Sequence, residues 1–319
     1  MKRLNGLYQQ ICSVENLQLA DAKARKRKGD QYGIMLHDRN KDENIQALRD
    51  MLLNKTYTTS PYEVFKIYEP KERDVYRLPY YPDRITHHAI MNVLEPVFVG
   101  TFTADTYSCI KGRGIHAAAW SVRKALKDVN GTQYCLKLDI KKFYPSIDHH
   151  ILKTLLRRKI KDNDLLWLLD GIIDSAPGVP IGNYLSQYFA NFYLTYFDHW
   201  LKEEKQLRYY YRYADDIVIL AGEKAMLHQT LSDIRGYLDT LKLSIKSNYQ
   251  VYPVAARGID FVGYRFYHTH VLLRKSIKQR FARAVARGAS QQTLAAYRGW
   301  TKHCDSKNLV NTLLSNKAA

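Results

Sequence analysis

Residues 208–221 read RYYYRYADDIVILA. Two apolar and aromatic runs flank Ala214-Asp215-Asp216, which is the pattern of a β-hairpin with acids at its tip. A fold built on this segment must hold two adjacent carboxylates at the end of a sheet. At a separation of about 4 Å and an effective dielectric near 20, two such charges repel by roughly 4 kcal/mol. Divalent cations are the natural counter-charge. Adjacent acids also occur in solvated hairpin turns, and the pair by itself leaves both readings open.

A third acid narrows the choice. QYCLKLD at 133–139 reads as a buried strand that ends at Asp139. An acid at a strand end, distant in sequence, can complete a metal site. Mg²⁺ keeps waters and binds one or two carboxylates plus substrate phosphates. Two such ions clamp the attacking and leaving oxygens of a phosphoryl transfer. Asp148, in PSIDHH, reads instead as a helix N-cap.

Charge points the same way. Among 319 residues, 49 Lys+Arg against 31 Asp+Glu leave a net charge of +18, which favours a polyanionic partner. The 25 tyrosines supply flat area for cores and for base stacking. No apolar run of about 18 residues exists, so no transmembrane helix is expected. The start, MKRLNGLYQQIC, lacks the apolar core of a secretory signal. Cys12, Cys109, Cys135 and Cys304 form no CxxC pair. Buried free thiols in a reducing cytoplasm are expected, not a zinc ribbon or disulfide framework.

Helices and strands alternate along the chain, an α+β or α/β pattern. Residues 1–30 are helical and end in KARKRK at 23–28, a phosphate-contacting arm or a solvated helix end. A helix is expected over 41–54, with Ile45, Leu48, Leu52 and Leu53 on one side. Strands at 62–68 and 74–78 follow. Asp83 reads as the N-cap of a helix ending near Pro96. KGRG at 111–114 precedes a helix from Ile115 to about Lys127. Further helices are expected at 148–160, 164–173, 184–204 and 223–241. Strands near 259–266 and 271–273 lead into a basic helical end.

Five blocks occur in order: LKLDIKKFYPSID, GVPIGNYLSQYFAN, YRYADDIVIL, LKLSIKSN and IDFVGYRF. In this order and spacing the chain resembles the reverse transcriptases over roughly residues 60–275. It is most similar to the prokaryotic group, and within it to the enzymes of diversity-generating retroelements. The resemblance implies an α+β right-hand polymerase: N-terminal extension and fingers over 1–130, a ferredoxin-like palm over 131–270, and a short helical thumb over 271–319. It implies an RNA-directed DNA polymerase that uses dNTPs, template RNA and a DNA product. Two Mg²⁺ ions are implied, with Mn²⁺ able to substitute. Asp139 and Asp215 match the metal-binding acids, with Asp216 their neighbour; Ile140 falls among the metal- and substrate-binding positions. Tyr144 matches the aromatic gate that excludes a ribose 2′-hydroxyl, with Phe143 packed beneath it. Lys71 and Arg73 match the fingers residues that hold the triphosphate, a role suited to mobile cations. Lys246 matches the acid that protonates pyrophosphate. Phe261, Gly263 and Tyr264 match the primer grip. Each aromatic would read as a plain core residue outside these blocks.

One block departs from the common pattern. Most reverse transcriptases have glutamine where this chain has Ile181, followed by Gly182, Asn183, Tyr184, Leu185, Ser186 and Gln187. Gly182 permits close backbone approach, and Ser186 keeps its place. The retroelement group carries isoleucine here and misincorporates opposite template adenine. Without a directional hydrogen bond, discrimination rests on shape and weakens. The same resemblance implies an accessory variability protein, a basic helical-bundle pentamer. The stretch after Ser276 is expected to be a short thumb, with no maturase, endonuclease, protease or RNase H domain. Retron-like or phage-defence enzymes are the alternative within the family. A non-catalytic RNA-binding relative is opposed by the intact acids, and an RNA-copying viral polymerase by Tyr144 and Ala214.

Overall fold

The computed structural model describes residues 3–68 and 72–315. The chain forms two compact units. One comprises Met1–Phe102, Lys142–Tyr196 and Thr240–Leu243; the other comprises Thr103–Lys141, Phe197–Asp239 and Ser244–Ala319.

The first unit is mainly helical. Helix Val14–Ala24 starts at Ser13, whose hydroxyl accepts from the Asn16 N–H, and packs on helix Ile85–Val99. Helix Lys41–Leu53 buries Ile45, Leu48 and Leu52, as its periodicity predicts. Phe98 is fully buried, with the rings of Tyr188, Phe189 and Phe192 at 6.3, 6.4 and 5.1 Å. These three rings come from helix Tyr184–Tyr193. Strands β1 (Glu63–Ile67) and β2 (Arg73–Arg77) pair antiparallel, closed by the Arg77–Glu63 ion pair.

Three local expectations change here. Asp83 does not cap a helix. It is fully buried, and its Oδ1 accepts from the Tyr57 hydroxyl (2.8 Å) and the Ser60 N–H (3.1 Å). Fixed donors from a distant loop have claimed the carboxylate. The helix after it runs through Pro96 to Val99, because the buried Phe98 anchors a turn beyond the proline. The helix expected over 184–204 stops at Tyr193 and resumes as Thr195–His199. Asp148 does cap: its carboxylate accepts from the Ile151 N–H at 3.0 Å.

The second unit holds the main sheet: β3 (Tyr134–Asp139), β4 (Tyr209–Tyr213), β5 (Asp216–Ala221) and β6 (Gln250–Pro253). All pairs are antiparallel, in the order β4-β5-β3-β6. The first and third strands of the four lie together at the centre, the ferredoxin-like order that the resemblance implies. A second sheet joins β7 (Ile259–Phe261), β8 (Tyr264–Phe266) and β9 (Val271–Leu273). The run expected as one strand over 259–266 folds back at Val262-Gly263, both with positive φ (42° and 90°). A Cβ at Gly263 would lie 2.3 Å from the Trp300 ring, so the turn requires glycine there. Val218, Leu220, Phe261, Tyr264 and Phe266 share one core. Helices Lys275–Ala286, Gln291–Thr301 and Lys307–Ser315 follow, with Phe281 stacked on Tyr297 at 5.2 Å.

The class is therefore mixed α+β. Among the described residues no helix is long and apolar enough to cross a membrane. All four cysteines are free; Cys12 and Cys135 are buried as expected, but Cys109 is exposed on a loop. Removing the Phe98 ring should leave a cavity among three aromatics. Phe98→Ala is expected to lower unfolding free energy by about 3–5 kcal/mol in urea titrations, without changing the chemistry in the second unit.

Candidate active site

Register brings the acids together. In the β3–β5 pair, Asp139 lies directly opposite Asp216. In the β4–β5 hairpin, Tyr213 faces Asp216, leaving a two-residue loop of Ala214 and Asp215. Two backbone bonds lock this loop and the 244–246 segment onto the end of β3. The Ile140 N–H donates to the Asp215 carbonyl (3.2 Å), and the Lys246 N–H donates to the Asp139 carbonyl (2.8 Å). Ile140 also bridges Ile245, and its side chain is fully buried.

Two lysines compensate the acids. Lys246 Nζ lies 3.6 Å from Asp139 Oδ2 and 3.7 Å from Asp215 Oδ2, so one ammonium is shared between the two carboxylates. Lys137 is ion-paired with Asp216, and its ammonium stands 5.1 Å over the Phe261 ring. Burial pushes the Asp216 carboxyl up to about 6 from the ordinary 3.8. Lys137 pulls against that rise, and Asp139 and Asp215 add to it.

The donor set suits a hard cation. Among the described residues no group of three or more His, Cys, Asp or Glu side chains is arranged as a ready metal cage. A pair of carboxylates already sharing one ammonium fits an ion completed by substrate phosphates, the mode Mg²⁺ prefers.

The first unit carries the other expected positions. Tyr144 opens a short 3-10 turn, and its carbonyl accepts from the Val179 N–H at 3.0 Å. Phe143 is buried beside it, ring edge to face at 5.6 Å. Ile181 is half-buried, and its carbonyl accepts from the Tyr76 N–H at 2.8 Å, which ties the loop to β2. Gly182 has φ +117°, and a Cβ there would lie 2.6 Å from the Tyr76 carbonyl. Ser186 is buried and Gln187 exposed on helix Tyr184–Tyr193. Arg73 is exposed at the start of β2. Lys71 lies outside the described residues. In the second unit, Phe261 and Tyr264 are core side chains, and the Tyr264 hydroxyl donates to the Trp300 carbonyl at 3.1 Å.

The basic cluster at 23–28 divides. Arg25 is structural, bonded to the buried Asp21 and to Asp38. Lys23, Lys26 and Lys28 line an open cavity of about 390 Å³ with Arg77, Arg84 and Gln187. Burial, with Arg77 nearby, lowers the Arg84 pKa. Its guanidinium donates to the neutral Gln31 side chain at 3.2 Å.

A family model described as "Reverse transcriptase (RNA-dependent DNA polymerase)" matches residues 69–266, more than half of the chain. The chain belongs to the reverse transcriptase family. It is an RNA-directed DNA polymerase. It is 27% identical over 270 residues to Protein YkfC of Escherichia coli (strain K12), covering 69% of this chain and 70% of that one. It is 25% identical over 224 residues to the retron Ec73 reverse transcriptase of Escherichia coli, covering 62% and 69%. The group II intron-encoded protein LtrA of Lactococcus lactis subsp. cremoris is 24% identical over 177 residues, which span 51% of this chain but 29% of that protein. In fold, the chain is similar to apo telomerase from Candida tropicalis, with a TM-score of 0.50 at 13% identity, covering 70% of this chain and 49% of that one.

Sequence reasoning about this reverse transcriptase missed Lys137. The signal was present: Lys137 stands two residues before Asp139, hence on the same face of β3. Asp216 gives a pH-dependent stability with a definite sign. Its folded-state value lies above 3.8, so its contribution is complete below about pH 4 and lost as the pH rises through about 6. In metal-free protein, Asp216→Asn should flatten that fall, by on the order of 2 kcal/mol between the two ends. Chemical denaturation across this pH range, with chelator present, checks it; a wild-type slope in the variant would refute the assignment.

Proposed function

We propose that the enzyme copies a retroelement template RNA into cDNA by two-metal-ion nucleotidyl transfer, with errors concentrated at template adenines. For the chemistry, the supporting observation is the pairing of Asp139 with Asp216 beside Asp215, with one lysine ammonium shared by Asp139 and Asp215. Asp139, Asp215 and Asp216, with Ile140 beside them, are the residues that would hold two Mg²⁺ ions, or Mn²⁺ in their place. Bound there, the ions would supply counter-charge for the triphosphate and would acidify the primer 3′-hydroxyl. Lys246 donates the proton that the leaving pyrophosphate needs. Arg73, with Lys71, orients the triphosphate. Tyr144 on its 3-10 turn, with Phe143 beneath, excludes a ribose 2′-hydroxyl. The Val262-Gly263 turn between Phe261 and Tyr264 steadies the primer. On this reading residues 1–130 are extension and fingers, 131–270 palm and 271–319 thumb.

Ile181 carries the subtype. Its backbone is tied to β2, while its side chain offers only apolar surface where a glutamine would offer a directional hydrogen bond. The neighbouring Gly182, Ser186 and Gln187 would hold this segment at the nucleotide, where discrimination by Ile181 rests on shape. The basic cavity at Lys23, Lys26 and Lys28 suits template phosphates. A basic helical-bundle accessory protein would complete the system. The competing reading is a retron-like enzyme, favoured by the likeness to the retron Ec73 reverse transcriptase.

Primer extension on an RNA template with dNTPs and Mg²⁺, followed by product sequencing, separates these readings. DNA synthesis should be lost in Asp215→Asn/Asp216→Asn. Errors should cluster at template adenines, and Ile181→Gln should reduce them about tenfold or more, as a restored hydrogen bond is worth roughly 1.5 kcal/mol. Errors spread evenly would favour the retron-like reading. Synthesis persisting in the double variant would refute the acid assignment.

A further inference from the structure

Arg212 of β4 and Asp198 of helix Thr195–His199 are both fully buried. The guanidinium grips the carboxylate through Nε to Oδ1 (2.8 Å) and Nη2 to Oδ2 (2.5 Å). The Tyr210 hydroxyl donates to Oδ1 (2.5 Å) and the Thr106 hydroxyl to Oδ2 (3.0 Å). The Arg212 backbone is held too: its N–H donates to the Asp105 carbonyl, and its carbonyl accepts from the Tyr107 N–H, both at 3.0 Å. One guanidinium nitrogen reaches elsewhere. Nη1 donates to the carbonyl of Ala214 at 3.1 Å.

That third bond is what needs explaining. A buried ion pair adds little stability, because well-packed apolar residues of similar volume often serve as well or better. Apolar residues cannot donate to Ala214. Ala214 has φ +55°, a left-handed conformation that is strained for an L-residue with a Cβ. Its carbonyl belongs to the peptide bond that enters Asp215. The next peptide is held as well, by the Ile140 N–H on the Asp215 carbonyl. Asp215 is thus gripped on both sides, by β3 and by Arg212.

We propose that Arg212, clamped by Asp198, is a positioning residue that fixes the strained Ala214 carbonyl and thereby aims the Asp215 carboxylate. The proposal rests on the reading of Asp215 as a catalytic acid. A lysine at 212 keeps the charge facing Asp198. It lacks the planar fork that bonds both carboxylate oxygens and Ala214 at once.

The test compares wild type, Arg212→Lys, Tyr210→Phe and Asp215→Asn. Thermal melting reports folding, hydrogen–deuterium exchange reports the 213–217 peptide, and steady-state primer extension reports kcat and the dNTP KM. Arg212→Lys should melt near wild type and exchange faster at 213–217 but not along β3. Its kcat should fall about 10- to 100-fold with little change in KM, the range typical of losing a group that orients a metal ligand. Tyr210→Phe, which removes one bond to Asp198 and no charge, should shift both readouts the same way by less. Wild-type exchange and wild-type kcat in a folded Arg212→Lys would overturn the proposal; should that variant fail to fold, the same result in Tyr210→Phe would do so. Retained synthesis in Asp215→Asn would instead sink the acid assignment, and the exchange data would still report on the brace.

Discussion

Everything at the candidate site follows from like charge. The sheet places Asp139 opposite Asp216, and the hairpin loop sets Asp215 beside them. Each pair would repel by a few kcal/mol in a partly buried setting. The fold accepts this because register leaves no freedom: sliding β5 by one residue would swap the side chains packed on the two buried faces of the sheet and break its matched pairing with β3. β5 buries every residue from Ile217 to Ala221, so the hydrophobic pairing with β3 holds the acids where they would not gather alone.

The repulsion is managed by two lysines, not by a preformed cage. Lys246 is shared by Asp139 and Asp215, and Lys137 is paired with Asp216. On the proposed mechanism these ammonium groups would yield to cations that arrive with a triphosphate, and Lys246 would then give up a proton. A permanent cage would bind metal without substrate. Catalysis by positioning and charge stabilisation asks for the opposite, a site completed by the nucleotide itself. The buried Arg212–Asp198 pair adds rigidity beneath this exchangeable layer.

Much of this was legible in the sequence, for reasons that differ by residue. Asp139, Asp215 and Asp216 stand at ends of short, nearly continuous apolar or aromatic runs, the pattern of buried strands, and β3 to β5 follow from it. The Asp148 cap follows from local chemistry alone. Asp83 was misread because its partners, Tyr57 and Ser60, come from a loop that no local pattern connects to it. The 259–266 hairpin hid because Val262 and Gly263 look like strand residues until both adopt positive φ. Lys137 and Arg212 were overlooked although each is a cation inside an apolar strand, a signal that burial requires a partner. The bend after Tyr193 left no comparable mark.

The central claim is that Asp139 and Asp215, now bridged by Lys246, exchange that ammonium for two divalent cations when substrate binds. The most direct measurement is anomalous diffraction from the enzyme crystallised with primer, template, a non-reactive dNTP analogue and Mn²⁺. The account predicts two manganese peaks about 3.5–4 Å apart on these carboxylates, with the Lys246 ammonium withdrawn from both. Manganese absent from Asp139 and Asp215, or the ammonium still between them, would contradict it.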